Sequence, residues 1–289
     1  MPELHPGTGP ADVVVRYRQT DHPPLASWDN WLVVANDTAS VRFDDIQFTI
    51  AGGRTIEIVA RTGTADNDVR VWLLGSVMAI LLHQRSYLPI HANLIALAGN
   101  RAAAFSGPSG SGKSSLAAWL EARGHAVLAD DLCAIAIDAA GRPQAFAGIP
   151  RLKLWNDALA ALGRDGAGLE PVSSDMDKFH VPLRTSGEPG SLAPLAVDRV
   201  YLLERCTAAG EPLSITPLKG AEAAYGVLDN TYRWKLGQAI QPPRAQFDQC
   251  LALARHAAVF RVRRRWGMEF FEKEAAAIEQ HLLQPLAEA

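Results

Sequence analysis

A chain of 289 residues accommodates one large domain or two modest ones. Its 48% apolar and 20% charged content is that of a folded globular protein, which excludes wholesale disorder. With 28 Lys and Arg against 31 Asp and Glu, the net charge of -3 gives no general attraction toward nucleic acid or anionic lipid.

The longest apolar run, residues 71–82, is broken by Gly75 and Ser76 and falls far short of the ~20 residues that a bilayer-crossing helix needs. The first residues carry neither a basic nor an apolar segment of the secretory type. Cys133, Cys206 and Cys250 are odd in number and widely spaced, so they read as buried thiols in a reduced cytoplasm rather than a disulfide framework. No membrane and no nucleic acid is expected as a partner.

In chain order, residues 1–11 read as a loose tail, 12–87 as a β-rich region ending in a helix, and 88–289 as a second, larger domain. Val13-Val14-Val15, then Trp31 to Val34, then the alternation Ile46-Gln47-Phe48-Thr49-Ile50 read as strands. The turn 51–54 folds the last of these onto 55–59 as a hairpin. Asn67 and Asp68 cap a helix carrying Trp72, Leu73, Val77, Ile80 and Leu81, and Pro89 ends what precedes it. A second hairpin joins an arm over 90–97 to a return over 101–105.

A glycine-rich segment then opens a helix that stops at Gly124, and the strand 126–129 runs into Asp130 and Asp131. Strand, loop, helix and strand in that order signal an α/β fold. Residues 163–190 are dense in Gly, Ser, Asp and Pro and read as a mobile loop or lid. Residues 200–204 and 259–265 read as strands, and 221–232, 244–256 and 269–283 as helices.

Gly107-Pro108-Ser109-Gly110-Ser111-Gly112-Lys113-Ser114 matches the G-x-x-x-x-G-K-[ST] phosphate-binding pattern at every fixed position. Glycines let backbone N–H groups converge on phosphate oxygens, Lys113 adds charge at the β- and γ-phosphates, and Ser114 is placed to ligate Mg2+. The nucleotide set runs on to Ser115. Asp130 and Asp131 follow the next strand, where one carboxylate can serve the metal and the other take a proton. His91 lies on the arm paired with the strand that delivers the loop; it either approaches the phosphate from the side or is a packed residue. Arg261, Arg263, Arg264 and Arg265 are a solvated face or an anion contact, and Trp155, Trp234 and Trp266 read as core or rim packing.

The composite of His91, the 107–114 loop and the strand ending in Asp130-Asp131 resembles the catalytic domain of the HPr kinase/phosphorylase family. That resemblance implies a P-loop kinase core of the HPr kinase and phosphoenolpyruvate carboxykinase-like type, using ATP and Mg2+ to phosphorylate a seryl hydroxyl on a protein or peptide. By motif position it assigns catalysis to Lys113, Asp130, Asp131 and His91, and the metal to Ser114 with Asp131. The family's stretch R-G-L-G-I is here Arg151-Leu152-Lys153-Leu154-Trp155, keeping Arg151 alone, which leaves the reverse phosphorylase reaction outside the expectation. The chain is most similar in form to the short HPr-kinase-like proteins, some of which modify ribosomally made precursor peptides such as lasso peptides. Lys178 sits in a stretch expected to close over ATP, and the resemblance also carries homo-oligomer formation. An HPr-type protein kinase, a small-molecule kinase and a non-catalytic nucleotide sensor remain alternatives.

Overall fold

The structure, a computed structural model, describes residues 10–23, 32–43, 45–149, 151–173, 176–183, 193–206 and 211–286. Most of the expected tail, Trp31, and residues 184–190 of the expected lid lie outside the described residues.

The N-terminal part is a five-stranded sheet of β1 (Val14–Thr20), β2 (Leu32–Ala35), β3 (Thr38–Phe43), β4 (Ile46–Ala51) and β5 (Thr55–Arg61), in the order β1-β5-β4-β3-β2. The alternation along β4 sends Ile46, Phe48 and Ile50 inward, and the β4–β5 hairpin turns at Gly52 and Gly53. β1 was readable as a strand; that it pairs in parallel with β5 was not.

The helix expected from an Asn67 cap starts instead at Asp66 without a side-chain cap, as α1 (Asp66–Trp72). It opens into a π-helical turn over Leu73–Val77 and resumes as α2 (Met78–Gln84). A Cβ at Gly75 would sit 3.0 Å from the Tyr232 hydroxyl, so the wide turn and its glycine make room for a side chain from the other half of the chain. Leu236 packs into this N-terminal core as well.

The first strands of the large sheet are β6 (Leu88–Ile90), β7 (Ala92–Leu97), β8 (Arg101–Ser106), β9 (Val127–Ala129), β10 (Cys133–Ile137) and β11 (Pro143–Ala145). Between β8 and β9 lies α3 (Lys113–Ala122). Then come β12 (Arg151–Trp155), α4 (Asn156–Ala161), β13 (Lys178–Pro182), β14 (Leu195–Arg205) and β15 (Ser214–Leu218). The chain closes with α5 (Gly220–Asp229), α6 (Trp234–Ile240), α7 (Pro243–His256), β16 (Ala258–Arg264) and α8 (Met268–Leu283). The order is β6-β10-β11-β14-β8-β7-β9, with β16 parallel to β14 and β15 on its far side. β15 escapes the sequence because Pro217 reads against a strand, yet Pro is tolerated on an edge such as this.

Helices cover both faces of this sheet. Ala102, Ala104, Val200 and Leu202 face Ala223, Val227 and Leu253 of α5 and α7. Ala103, Phe105, Tyr201 and Leu203 face Leu116 of α3 and Phe271 and Ile278 of α8. Strands buried on both faces carry near-continuous apolar runs, as β8 and β14 do. Phe105, Tyr201 and Phe260 stack across the three parallel strands β8, β14 and β16, with centroids 4.7 and 5.4 Å apart. Such pairs add ~0.5–1.5 kcal/mol each beyond burial, which fixes the strand that launches the glycine-rich loop.

Cys133 and Cys250 are fully buried free thiols that burial pushes up to about 12, while Cys206 is partly exposed. Among the described residues, no helix is long and apolar enough to cross a membrane.

Candidate active site

The loop 107–112 joins β8 to α3, as its motif predicts. Gly107, Gly110 and Gly112 have φ of 153°, 79° and 81°, which side-chain-bearing residues rarely adopt. Gly107 is confined further: a Cβ there would lie 2.6 Å from the Leu203 carbonyl oxygen. Lys113 is buried, and its Nζ donates to the carbonyl oxygens of Gly107 and Pro108 at 2.8 and 3.1 Å. Burial pulls its pKa down to about 8, with Asp131 and Asp130 opposing that fall and Lys178 adding to it. Pro108 and Ser109 line a cleft, the Ser111 hydroxyl is buried, and Ser115 lies in the first turn of α3.

The two adjacent aspartates diverge. Asp131 has φ of 72°, a left-handed conformation that Asp tolerates better than most residues. That twist sends the two side chains to different partners. Asp130 accepts from Ser114 Oγ at 3.0 Å, from Asn93 Nδ2 at 2.5 Å and from the Lys153 backbone N–H at 2.7 Å. Asp131 lies 3.2 Å from His91 Nε2 and accepts from Lys153 Nζ at 2.9 Å.

Their protonation is pushed apart accordingly. Burial, then the neighbouring Asp131 charge, raises the Asp130 pKa against the opposing charge of Lys153. Burial also acts to raise Asp131, but Lys153, the His91 hydrogen bond and Lys178 outweigh it and hold that carboxyl well below its ordinary range. For Lys153, burial is in turn outweighed by Asp131, so its pKa rises and the pair is ionised at neutral pH.

Two sequence expectations change here. Ser114 was paired with Asp131, yet its hydroxyl meets Asp130, because the left-handed twist turns Asp131 away. The arm expected to run unbroken over 90–97 is two strands: Ile90 pairs with Cys133 on β10, Ala92 pairs with Ser106 on β8, and His91 occupies the bend between them. The change of partner strand frees its ring to reach Asp131.

Lys178, expected in a loop, lies on β13 opposite Trp155 with its Nζ 5.7 Å over that ring. Arg151 opens β12 on the same face as Lys153, and it is not among the cleft-lining residues. Sequence reasoning missed Lys153 and Asn93. The first was legible as the one polar residue between the inward-facing Leu152 and Leu154, and the second as a buried amide two residues beyond His91.

His91, Asp131 and Lys153 open into a cleft of about 1100 Å³. Its rim includes Trp155, Met176 and Tyr225, each between 41% and 56% exposed, and the N-terminal part contributes Trp72 and Ser76. Trp155 is therefore a rim residue, not core.

Ser114 and Asp130 present hard oxygen donors close together, the donor chemistry magnesium accepts alongside phosphate oxygens and water. Among the described residues, no group of three or more His, Cys, Asp and Glu forms an all-protein metal site.

No family model and no curated protein matches the chain. Among solved structures it is similar to an HPr(Ser) kinase/phosphatase from Coxiella burnetii, at 13% identity, covering 67% of this chain and 96% of that one with a TM-score of 0.34.

Proposed function

We propose that the protein is an ATP-dependent phosphotransferase that phosphorylates a seryl hydroxyl on a ribosomally made precursor peptide or small protein. The observation that carries the reading is the divergence of two adjacent carboxylates beside a glycine-rich loop. Asp130 is turned to Ser114, and Asp131 is turned to the open cleft between His91 and Lys153.

In this reading the loop amides, the N-terminus of α3 and Lys113 bind the triphosphate. Ser114 and Asp130 would hold Mg2+, which supplies charge neutralisation at the phosphates. The acceptor hydroxyl enters from the cleft and donates a hydrogen bond to Asp131. A bond forms between the acceptor oxygen and the terminal phosphorus, the bond to the bridging oxygen breaks, ADP leaves, and the hydroxyl proton passes to Asp131.

A carboxylate held this acidic is a weak base. That suits a loose transition state, in which the hydroxyl loses its proton late and orientation matters more than basicity. His91 and Lys153 keep Asp131 charged and aimed. The sequence resemblance favours a Ser-bearing peptide, and a cleft with an open aromatic rim has room for an extended chain.

The test follows radiolabelled phosphate from ATP to Ser-bearing peptides and to hydroxylated metabolites in parallel. Lys113→Ala is expected to abolish nucleotide binding and transfer together. Asp131→Asn is expected to bind nucleotide normally and lose at least a hundred-fold in transfer. Fully active Asp131→Asn protein, or labelling of metabolites alone, overturns the assignment.

A further inference from the structure

β8, β14 and β16 run parallel, so their C-terminal ends emerge along one edge of the sheet, where ligands of open α/β sheets bind. The glycine-rich loop follows β8. Asp130 and Asp131 follow β9, which is reached from β8 through β7, on one side of the loop. The ends of β14 and β16 lie on the other side. A nucleotide whose terminal phosphate faces the aspartates can run its nucleoside along this edge toward Arg205, which ends β14, and toward Arg264 and Trp266 at the end of β16.

The side chains there fit that course. Trp266 is half exposed, its ring edge would lie 3.9 Å from a Cβ on Gly110, and the Arg205 guanidinium sits 5.1 Å over the ring. Arg264 is 6% exposed, and its Nη1 is buried with no hydrogen-bond partner among the described residues. The carboxylate nearest to hand, Glu274, already accepts from Arg265 Nε at 2.8 Å. Arg264 Nη1 instead stands 3.3 Å from where a Cβ on Gly112, the residue before α3, would be. The guanidinium lies 5.3 Å over the Phe271 ring and feels the Glu274 charge, but Nη1, beside a glycine of the cradle, keeps hydrogen-bonding capacity that a phosphate oxygen would use.

We propose that Trp266 is the nucleobase platform: the base of the bound nucleoside triphosphate stacks on its indole, and Arg264 reinforces the phosphate cradle beside Gly112. The proposal rests on the nucleotide reading of the loop and extends it to the other end of the ligand. It replaces the expectation that Trp266 merely packs.

Calorimetry on the full chain separates the two. Mg·ATP and magnesium tripolyphosphate, which lacks a base, are titrated into the wild type and into Trp266→Ala, Trp266→Phe and Lys113→Ala. Stacking on an aromatic ring predicts that Trp266→Ala weakens ATP by about ten-fold or more, leaves tripolyphosphate within two-fold of wild type, and is largely rescued by Trp266→Phe. Trp266→Ala protein that binds ATP like the wild type, while Lys113→Ala loses both ligands, overturns the base platform and leaves the phosphate cradle standing. Equal weakening of both ligands by Trp266→Ala also overturns it. Failure of the wild type to bind either ligand removes the cradle and the platform together.

Discussion

Lys153→Met isolates one charge at the centre of the site. Lys153 Nζ lies 2.9 Å from Asp131 Oδ2, with the two side chains 12% and 24% exposed. At an effective dielectric of ~20, Coulomb's law gives about 6 kcal/mol of attraction at that separation. Desolvation of both ions offsets much of it, and removing one partner from a buried pair usually costs ~3–5 kcal/mol. His91 still meets Asp131 in the variant, and a quarter of the carboxylate reaches solvent, so the lower end, about 3 kcal/mol, is expected. Methionine keeps the length of the stem and the backbone N–H that Asp130 accepts, which confines the perturbation to the charge.

The pH dependence supplies the sign. In the wild type Asp131 is depressed below its ordinary 3.8, so its contribution is complete above that value and is lost as pH falls through the folded-state pKa. Without Lys153, burial is opposed only by His91 and Lys178, so the Asp131 pKa rises from its wild-type position. The variant's deficit is then largest at neutral pH and shrinks as pH falls through the raised value. Urea unfolding of both proteins from pH 7 downward reads the gap at each step. A variant within ~0.5 kcal/mol of the wild type at pH 7, or a gap that never narrows as the pH falls, refutes the pairing argument.

Asp130→Asn removes the carboxylate beside Ser114, so it is expected to cut the magnesium dependence of nucleotide binding, read as the ratio of affinities with and without Mg2+; an unchanged ratio counts against Asp130 on the metal side. Lys113 has a pKa pulled down to about 8, and phosphate binding raises it again. Nucleotide affinity should therefore be flat below pH 8 and fall by up to ten-fold per unit as pH rises past it, accompanied by proton uptake; calorimetry in buffers of different ionisation enthalpy measures this directly. Gly107→Ala places a methyl 2.6 Å from the Leu203 carbonyl at a φ of 153°, so the loop must distort. Nucleotide binding is expected to drop at least ten-fold with a stability loss of about 1–3 kcal/mol, and wild-type affinity would show that the loop tolerates a Cβ.

Elements with strong local signals were legible without coordinates. The β4–β5 hairpin, the loop 107–112 and the helices α5, α7 and α8 all announce themselves through turn chemistry or periodicity. So did the set Lys113, Ser114, Asp130 and Asp131, because a glycine-rich loop, a lysine and strand-end carboxylates are local in sequence. The parallel pairing of β1 with β5 and the edge strand β15 left no such trace, since each depends on what lies beside it in space.

The different partners of the two aspartates left no trace in the sequence of their own segment. The two stand side by side in sequence, and the left-handed backbone at Asp131 turns them to different partners. Lys153 arrives from β12 and His91 from a bend created when the chain changes partner strands. Arg264 and Trp266 come to the loop across two parallel strand pairings, from more than a hundred residues away. Sequence alone could name the glycine-rich motif because a loop of this shape requires glycines at fixed offsets. Which carboxylate faces the cleft, and what flanks it, was decided by tertiary structure, because electrostatic partners are chosen by distance through space and not along the chain.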